Sequence, residues 1–186
     1  MLAEIYEKEN NYTNAIDEYV RAIEINTKDY NSYYKIALLL KELNNNDAAI
    51  NMLNDLLKRK PDYLEATMLL GDILYKVEKF KEATTVYLEA LKYNPANYEI
   101  YYNLGMVYTR LNDFKKAKEY YQTAAEINSM LYNARFSLAQ IAMIYGDLRR
   151  SRDVFYGMFS KRRYRSRFLL LFSTYKYVKR RKAKSN

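Results

Sequence analysis

Residues 98–131 read YEIYYNLGMVYTRLNDFKKAKEYYQTAAEINSML, and this stretch decides the fold. Its apolar and aromatic residues recur at steps of three and four, the spacing of one face of an α-helix, in two separate blocks. The polar turn Leu111-Asn112-Asp113 divides them. Gly105 and Ala117 remove side-chain bulk where two such helices would cross, and Tyr and Phe fill the wider gaps nearby. Working outward, the same residue types return 34 positions away: Gly71 with Gly105, Pro61 with Pro95, Phe80 with Phe114, Tyr87 with Tyr121. Ala15, Ala49, Ala83 and Ala117 form a longer series at the same step. A lone helix pair cannot bury its apolar face, whereas stacked copies share a continuous core.

The composition narrows the chemistry. The chain has 186 residues, 49% hydrophobic and 28% charged, enough for one globular domain or one repeat array. It has no cysteine and no histidine, which removes disulfide scaffolds, thiol nucleophiles, Cys/His zinc sites and His-based acid–base catalysis. Four glycines and two prolines are too few for a β-rich fold with many tight turns. No apolar run approaches the roughly 18–20 residues of a membrane span, and no signal peptide opens the chain. The expectation is a soluble, helical, cytoplasmic protein that is not an enzyme, with no catalytic residues, no metal site and no cofactor.

The positions that recur resemble the tetratricopeptide repeat family. Residues 98–131 carry Tyr101, Leu104-Gly105, Tyr108, Ala117, Tyr121 and Ala124 at the family's positions. Residues 64–97 match through Leu70-Gly71, Ala83, Tyr87, Ala90 and Pro95. Residues 30–63 match more loosely through Tyr33, Ile36-Ala37, Ala49, Leu53 and Pro61. The resemblance implies an all-α, right-handed superhelix of antiparallel helix pairs, an α-solenoid with a 34-residue repeat. Residues 1–148 form the array: a partial repeat 1–29, three repeats at 30–63, 64–97 and 98–131, and the start of another at 132–148. Met1 then falls part-way along a first helix, so the chain reads as a fragment. Asp47 and Asp113 are expected to cap, or nearly cap, second helices. Gly105→Leu is expected to force the paired helices apart, and Asn112→Ala, on a turn, to cost no more than roughly 0.5 kcal/mol.

The resemblance also implies a function. First helices of successive repeats line a concave groove that holds a peptide or a partner helix, which makes the protein a non-catalytic interaction scaffold or adaptor. Its groove positions here are Tyr34 and Leu38, then Met68 and Asp72, then Tyr102, Met106 and Arg110, then Phe136 and Gln140. Tyr and Met on such a surface suit adaptable apolar recognition with a polar rim. One subgroup of the family grips the carboxylate-ended tails of heat-shock chaperones with a Lys/Asn–Asn–Lys/Arg clamp. The corresponding positions are Met68, Asp72, Asn103, Asn133 and Ser137; only Asn103 fits, and Asp72 repels a carboxylate. A chaperone tail is therefore not the expected partner.

Composition changes abruptly near Leu148. The formal charge of +9 divides into −4 over residues 1–148 and +13 over residues 149–186, where nine of the thirteen arginines lie. Residues 149–186 read as a divergent basic tail completing a degenerate repeat and a terminal helix. Ser151 stands where alanine is expected, Phe155 fits, and a further first helix is drawn through Leu169, Phe172 and Ser173, with Phe168–Phe172 as its apolar stretch. A one-base slip of frame explains the change: in an AT-rich gene GAA-GAA, Glu-Glu, becomes AGA-AGA, Arg-Arg. Read one base later, plausible codons from Arg149 onward restore alanine at 151, phenylalanine at 155 and acids throughout. The alternative is a functional tail that binds nucleic acid or an anionic membrane.

Overall fold

The computed structural model describes residues 2–147 together with Arg149 and Ser151. The described residues form helices and turns: α1 (Leu2–Lys8), α2 (Tyr12–Ile25), α3 (Tyr30–Glu42), α4 (Asn46–Arg59), α5 (Leu64–Lys76), α6 (Phe80–Tyr93), α7 (Tyr98–Arg110), α8 (Phe114–Ile127) and α9 (Tyr132–Ile144). First helices α3, α5, α7 and α9 begin at 30, 64, 98 and 132, and second helices α2, α4, α6 and α8 at 12, 46, 80 and 114. Both series keep a 34-residue step. Each helix packs on its neighbours in sequence, and α3 also touches α5. The result is the expected all-α solenoid of helix pairs. Apart from Arg149 and Ser151, the expectations for the tail, its frame, Phe155 and Phe168–Phe172 lie outside the described residues.

The turn inside each pair is the same device five times. Asn10, Asn44, Glu78, Asn112 and Gly146 have φ of +57°, +57°, +62°, +60° and +78°. A left-handed residue there lets the next amide reach back five residues: Asn45 to Leu40, Lys79 to Leu74 and Asp113 to Tyr108, at 2.8, 2.9 and 3.0 Å. That same residue then opens the second helix. Asn11, Asn45 and Asp113 accept from the backbone amides of Asn14, Ala48 and Lys116. Asp113 is therefore a cap as expected, whereas Asp47 is not: Asn45 takes the role, and Asp47 sits in the first turn of α4. The left-handed geometry also corrects the expectation for Asn112→Ala. Asparagine tolerates this region, but alanine there costs about 1–2 kcal/mol.

The core runs the length of the array. Ala15, Ala49, Ala83 and Ala117 are all fully buried on second helices, and Tyr19, Leu53, Tyr87 and Tyr121 lie one turn further on, each at most 3% exposed. Those large side chains meet the small residues of the first helices. A methyl group added at Gly105 would stand 2.5 Å from the Tyr121 ring, and one at Gly71 would collide with the Tyr87 ring. Ser151, next in the alanine series, is also fully buried, and its hydroxyl has no hydrogen-bond partner among the described residues.

Candidate functional site

The expected groove residues stand on successive first helices. Tyr34 and Leu38 stand on α3, Met68 on α5, and Tyr102 and Met106 on α7; all five are half-buried and packed against the core. They are thus partly structural. The Tyr34 ring lies 5.7 Å from that of Tyr63, and the Tyr102 ring 5.6 Å from that of Tyr121. Phe136 and Gln140 on α9 are half-buried, and Asp72 and Arg110 are exposed. Arg110 is already engaged: its guanidinium is 2.9 Å from the Glu78 carboxylate and lies over the rings of Tyr75 and Phe80, at 5.5 and 5.0 Å. It crosses from one repeat to the preceding one, so its charge is shared with Glu78 before any ligand arrives.

Beneath this face runs a series of tyrosine hydroxyls that composition alone did not reveal. Tyr87 Oη donates to Asp72 Oδ1 (3.3 Å), on the first helix of its own repeat, and accepts from Asn103 Nδ2 (3.2 Å), on the first helix of the next. Tyr121 Oη lies 3.3 Å from Thr109 Oγ1, on the first helix of its own repeat. Thr109 spends its proton on the Gly105 carbonyl (2.8 Å), so Tyr121 is the donor. At the start of the array Tyr19 Oη donates to Glu7, which also takes Lys35 Nζ (3.1 Å) from the next repeat. Tyr19, through Glu7, and Tyr87 therefore tie adjacent first helices together through polar groups, while Tyr121 holds the first helix of its own repeat. The second pair, with Leu53 in this place, makes its contact through apolar atoms alone.

Electrostatics follow from the packing. Burial pushes the Tyr19, Tyr87 and Tyr121 hydroxyls above the ordinary tyrosine range, and the carboxylates of Glu7 and Asp72 add to this at Tyr19 and Tyr87. Asp72 stands exposed at the edge of the face, yet the atoms crowded around its carboxyl raise its pKa, against the Tyr87 hydrogen bond and nearby Lys41, which lower it. A carboxylate so placed favours a cation or donor rather than a second anion. The signal missed in the sequence was the polar residue at different helix positions: Asp72 in one repeat, Thr109 and Glu7 in others. Among the described residues no group of three or more Asp or Glu side chains could hold a metal ion. None of the described helices is long and apolar enough to cross a membrane.

The comparisons with known proteins agree with this architecture. The TPR repeat family matches residues 71–112, and the tetratricopeptide repeat itself matches residues 98–130. Residues 8–90 match the family described as anaphase-promoting complex, cyclosome, subunit 3. Among solved structures, MamA is similar at 18% identity with a TM-score of 0.78, over 90% of this chain and 98% of that one. YrrB, described as a TPR protein with an unusual peptide-binding site, is similar at 17% identity and a TM-score of 0.67, over 82% and 78%. A thermophilic TPR protein of Thermus thermophilus is 20% identical with a TM-score of 0.61, over 94% and 95%. No curated protein matches the sequence. With 34-residue helix pairs, glycine–tyrosine crossings and matches over residues 71–130, the chain is built of tetratricopeptide repeats, which supports a scaffold for protein–protein interaction.

Proposed function

We propose that the face made by α3, α5, α7 and α9 is a groove that holds a peptide or a partner helix, and that the protein acts as a non-catalytic adaptor. The observation that carries this reading is the run of half-exposed apolar side chains across three first helices. Tyr34, Leu38, Met68, Tyr102 and Met106 rest on the core on one side and leave apolar atoms uncovered on the other. Methionine and tyrosine offer contact area that adapts to different partners at low ordering cost. Asp72 adds an exposed carboxylate to the same face, which favours a ligand carrying Lys or Arg. A carboxylate-ended chaperone tail does not fit this reading, because Asp72 repels it and the Asn103 amide is committed to Tyr87. No location in the cell follows from the groove; a cytoplasmic site remains our proposal from composition.

The test is selection of a displayed peptide library on the full chain, with Met68→Lys/Met106→Lys as the counter-selected variant. Both positions are mid-helix and half-buried, so the variant should keep its helical circular dichroism. Peptides that bind the wild type should be lost from the variant and should be enriched in Lys or Arg beside apolar residues. Peptides held equally by both proteins would place recognition elsewhere.

A further inference from the structure

The opposite face of the array carries a gap that the 34-residue register explains. Between α4 and α6, above α5, lies a cleft of ≈ 380 Å³ walled by Leu57, Leu70, Val86 and Ala90, with Pro61 and Thr67 also lining it. One repeat on, the same place is filled. Tyr101 and Tyr120 stand in register with Thr67 and Val86, their ring centroids 6.4 Å apart, and Tyr120 stacks on Tyr108 at 5.3 Å. One repeat back, Tyr33 takes the place of Thr67 and is 6% exposed, with the Arg59 guanidinium over its ring. The cleft is therefore the space of an aromatic side chain that residues 64–97 lack.

Polar atoms around it narrow the chemistry. Tyr101 Oη donates to the Pro95 carbonyl at 3.1 Å, and Pro61, which lines the cleft, is the register equivalent of Pro95. A phenol in the cleft would thus meet the acceptor that Tyr101 uses one repeat later. Thr67 and Thr85 turn their hydroxyls back to the carbonyls of Tyr63 and Lys81, leaving methyl groups for the cleft. The charges at the rim are matched, Lys58 with Asp55 at 3.2 Å and Glu89 with Lys92 at 2.6 Å, so an occupant that complements them is neutral. The volume lies in the range of small ligand sites, about 300–1,000 Å³.

We propose that this cleft binds a tyrosine side chain presented by a partner polypeptide, with its ring where Tyr101 lies in the next repeat and its hydroxyl on the Pro61 carbonyl. The site is on the face opposite the groove and does not depend on it. The experiment titrates the full chain with p-cresol, with toluene, and with a blocked Ala-Tyr-Ala peptide, reading methyl resonances of Thr67, Leu70 and Val86. p-Cresol should shift them saturably, and toluene should bind about fivefold more weakly, the share of one hydrogen bond. The peptide should compete with p-cresol. Thr67→Tyr should abolish binding and leave the melting temperature equal to or above that of the wild type; if that variant does not fold, Val86→Tyr, which copies Tyr120 of the next repeat, gives the same readout. No saturable shift, equal binding of toluene, or p-cresol still bound by the filled variant would overturn the site. Binding of p-cresol without competition from the peptide would overturn its assignment to a polypeptide.

Discussion

Gly105→Ala probes the closest crossing of the array. The added methyl would stand 2.5 Å from Tyr121 Cδ1 and 2.6 Å from Cε1, where an ordinary contact needs about 3.5–4.0 Å. Tyr121 cannot swing aside freely: it is 3% exposed, its hydroxyl is held by Thr109, and the Tyr102 ring lies against it. The pair must therefore separate, and α7 is packed against both α6 and α8. Overpacking of this kind costs about 1–3 kcal/mol. Alanine recovers about 0.5–1 kcal/mol through its better helix propensity. The net loss is about 1–2 kcal/mol, and for a chain of this size each kcal/mol moves the melting temperature by roughly 2–4 °C. Urea denaturation of Gly105→Ala, Tyr121→Leu and the double variant measures the effect. The double variant should be more stable than the sum of the two losses by about 0.5–3 kcal/mol, because the smaller side chain removes the clash. A Gly105→Ala protein as stable as the wild type, or strict additivity, would refute the argument.

Other substitutions test the repeat register. Asn46 occupies the place held by Tyr12, Phe80 and Phe114, and its side-chain oxygen is buried without a partner among the described residues, so Asn46→Phe should raise stability by about 1 kcal/mol in the same denaturation assay. Asn112→Ala should lose about 1–2 kcal/mol to left-handed strain, while Asn112→Gly stays within roughly 0.5 kcal/mol of the wild type. The buried tyrosines predict alkaline sensitivity: their folded pKa values are raised, so their contribution is intact below the unfolded value of about 10 and is lost as pH rises through the folded one. Urea midpoints should fall above that pH, and Tyr87→Phe should flatten the fall.

Much of the fold could be read before any coordinates because its determinants are local and periodic. Glycine or alanine at a crossing, a large residue opposite, and a two-residue turn repeat at a fixed interval, and each is visible in one copy. The proposed groove residues were assigned only through the register. Their positions follow from the repeat, but nothing in the sequence says that Tyr102 leans on Tyr121 or that Arg110 is held by Glu78. Of the two readings for Asp47 the near-cap is the one found: the turn places Asn45, two residues earlier, at the helix start, and Asp47 in its first turn. The tyrosine hydroxyl ties escaped notice because their partners lie 12–16 residues away and change type between copies. The cleft at Thr67 did have a signal: a threonine standing between Tyr33 and Tyr101 in register.

The central claim is that the face of α3, α5 and α7 receives the partner. The most direct measurement labels the methionine methyl groups of the full chain and adds a selected peptide. Met68 and Met106 line the proposed groove, whereas Met52 lies on α4 and Met130 in the turn before α9, so all four report from one sample. The account predicts saturable shifts at Met68 and Met106 with Met52 and Met130 unmoved. Shifts confined to Met52 or Met130 would contradict it.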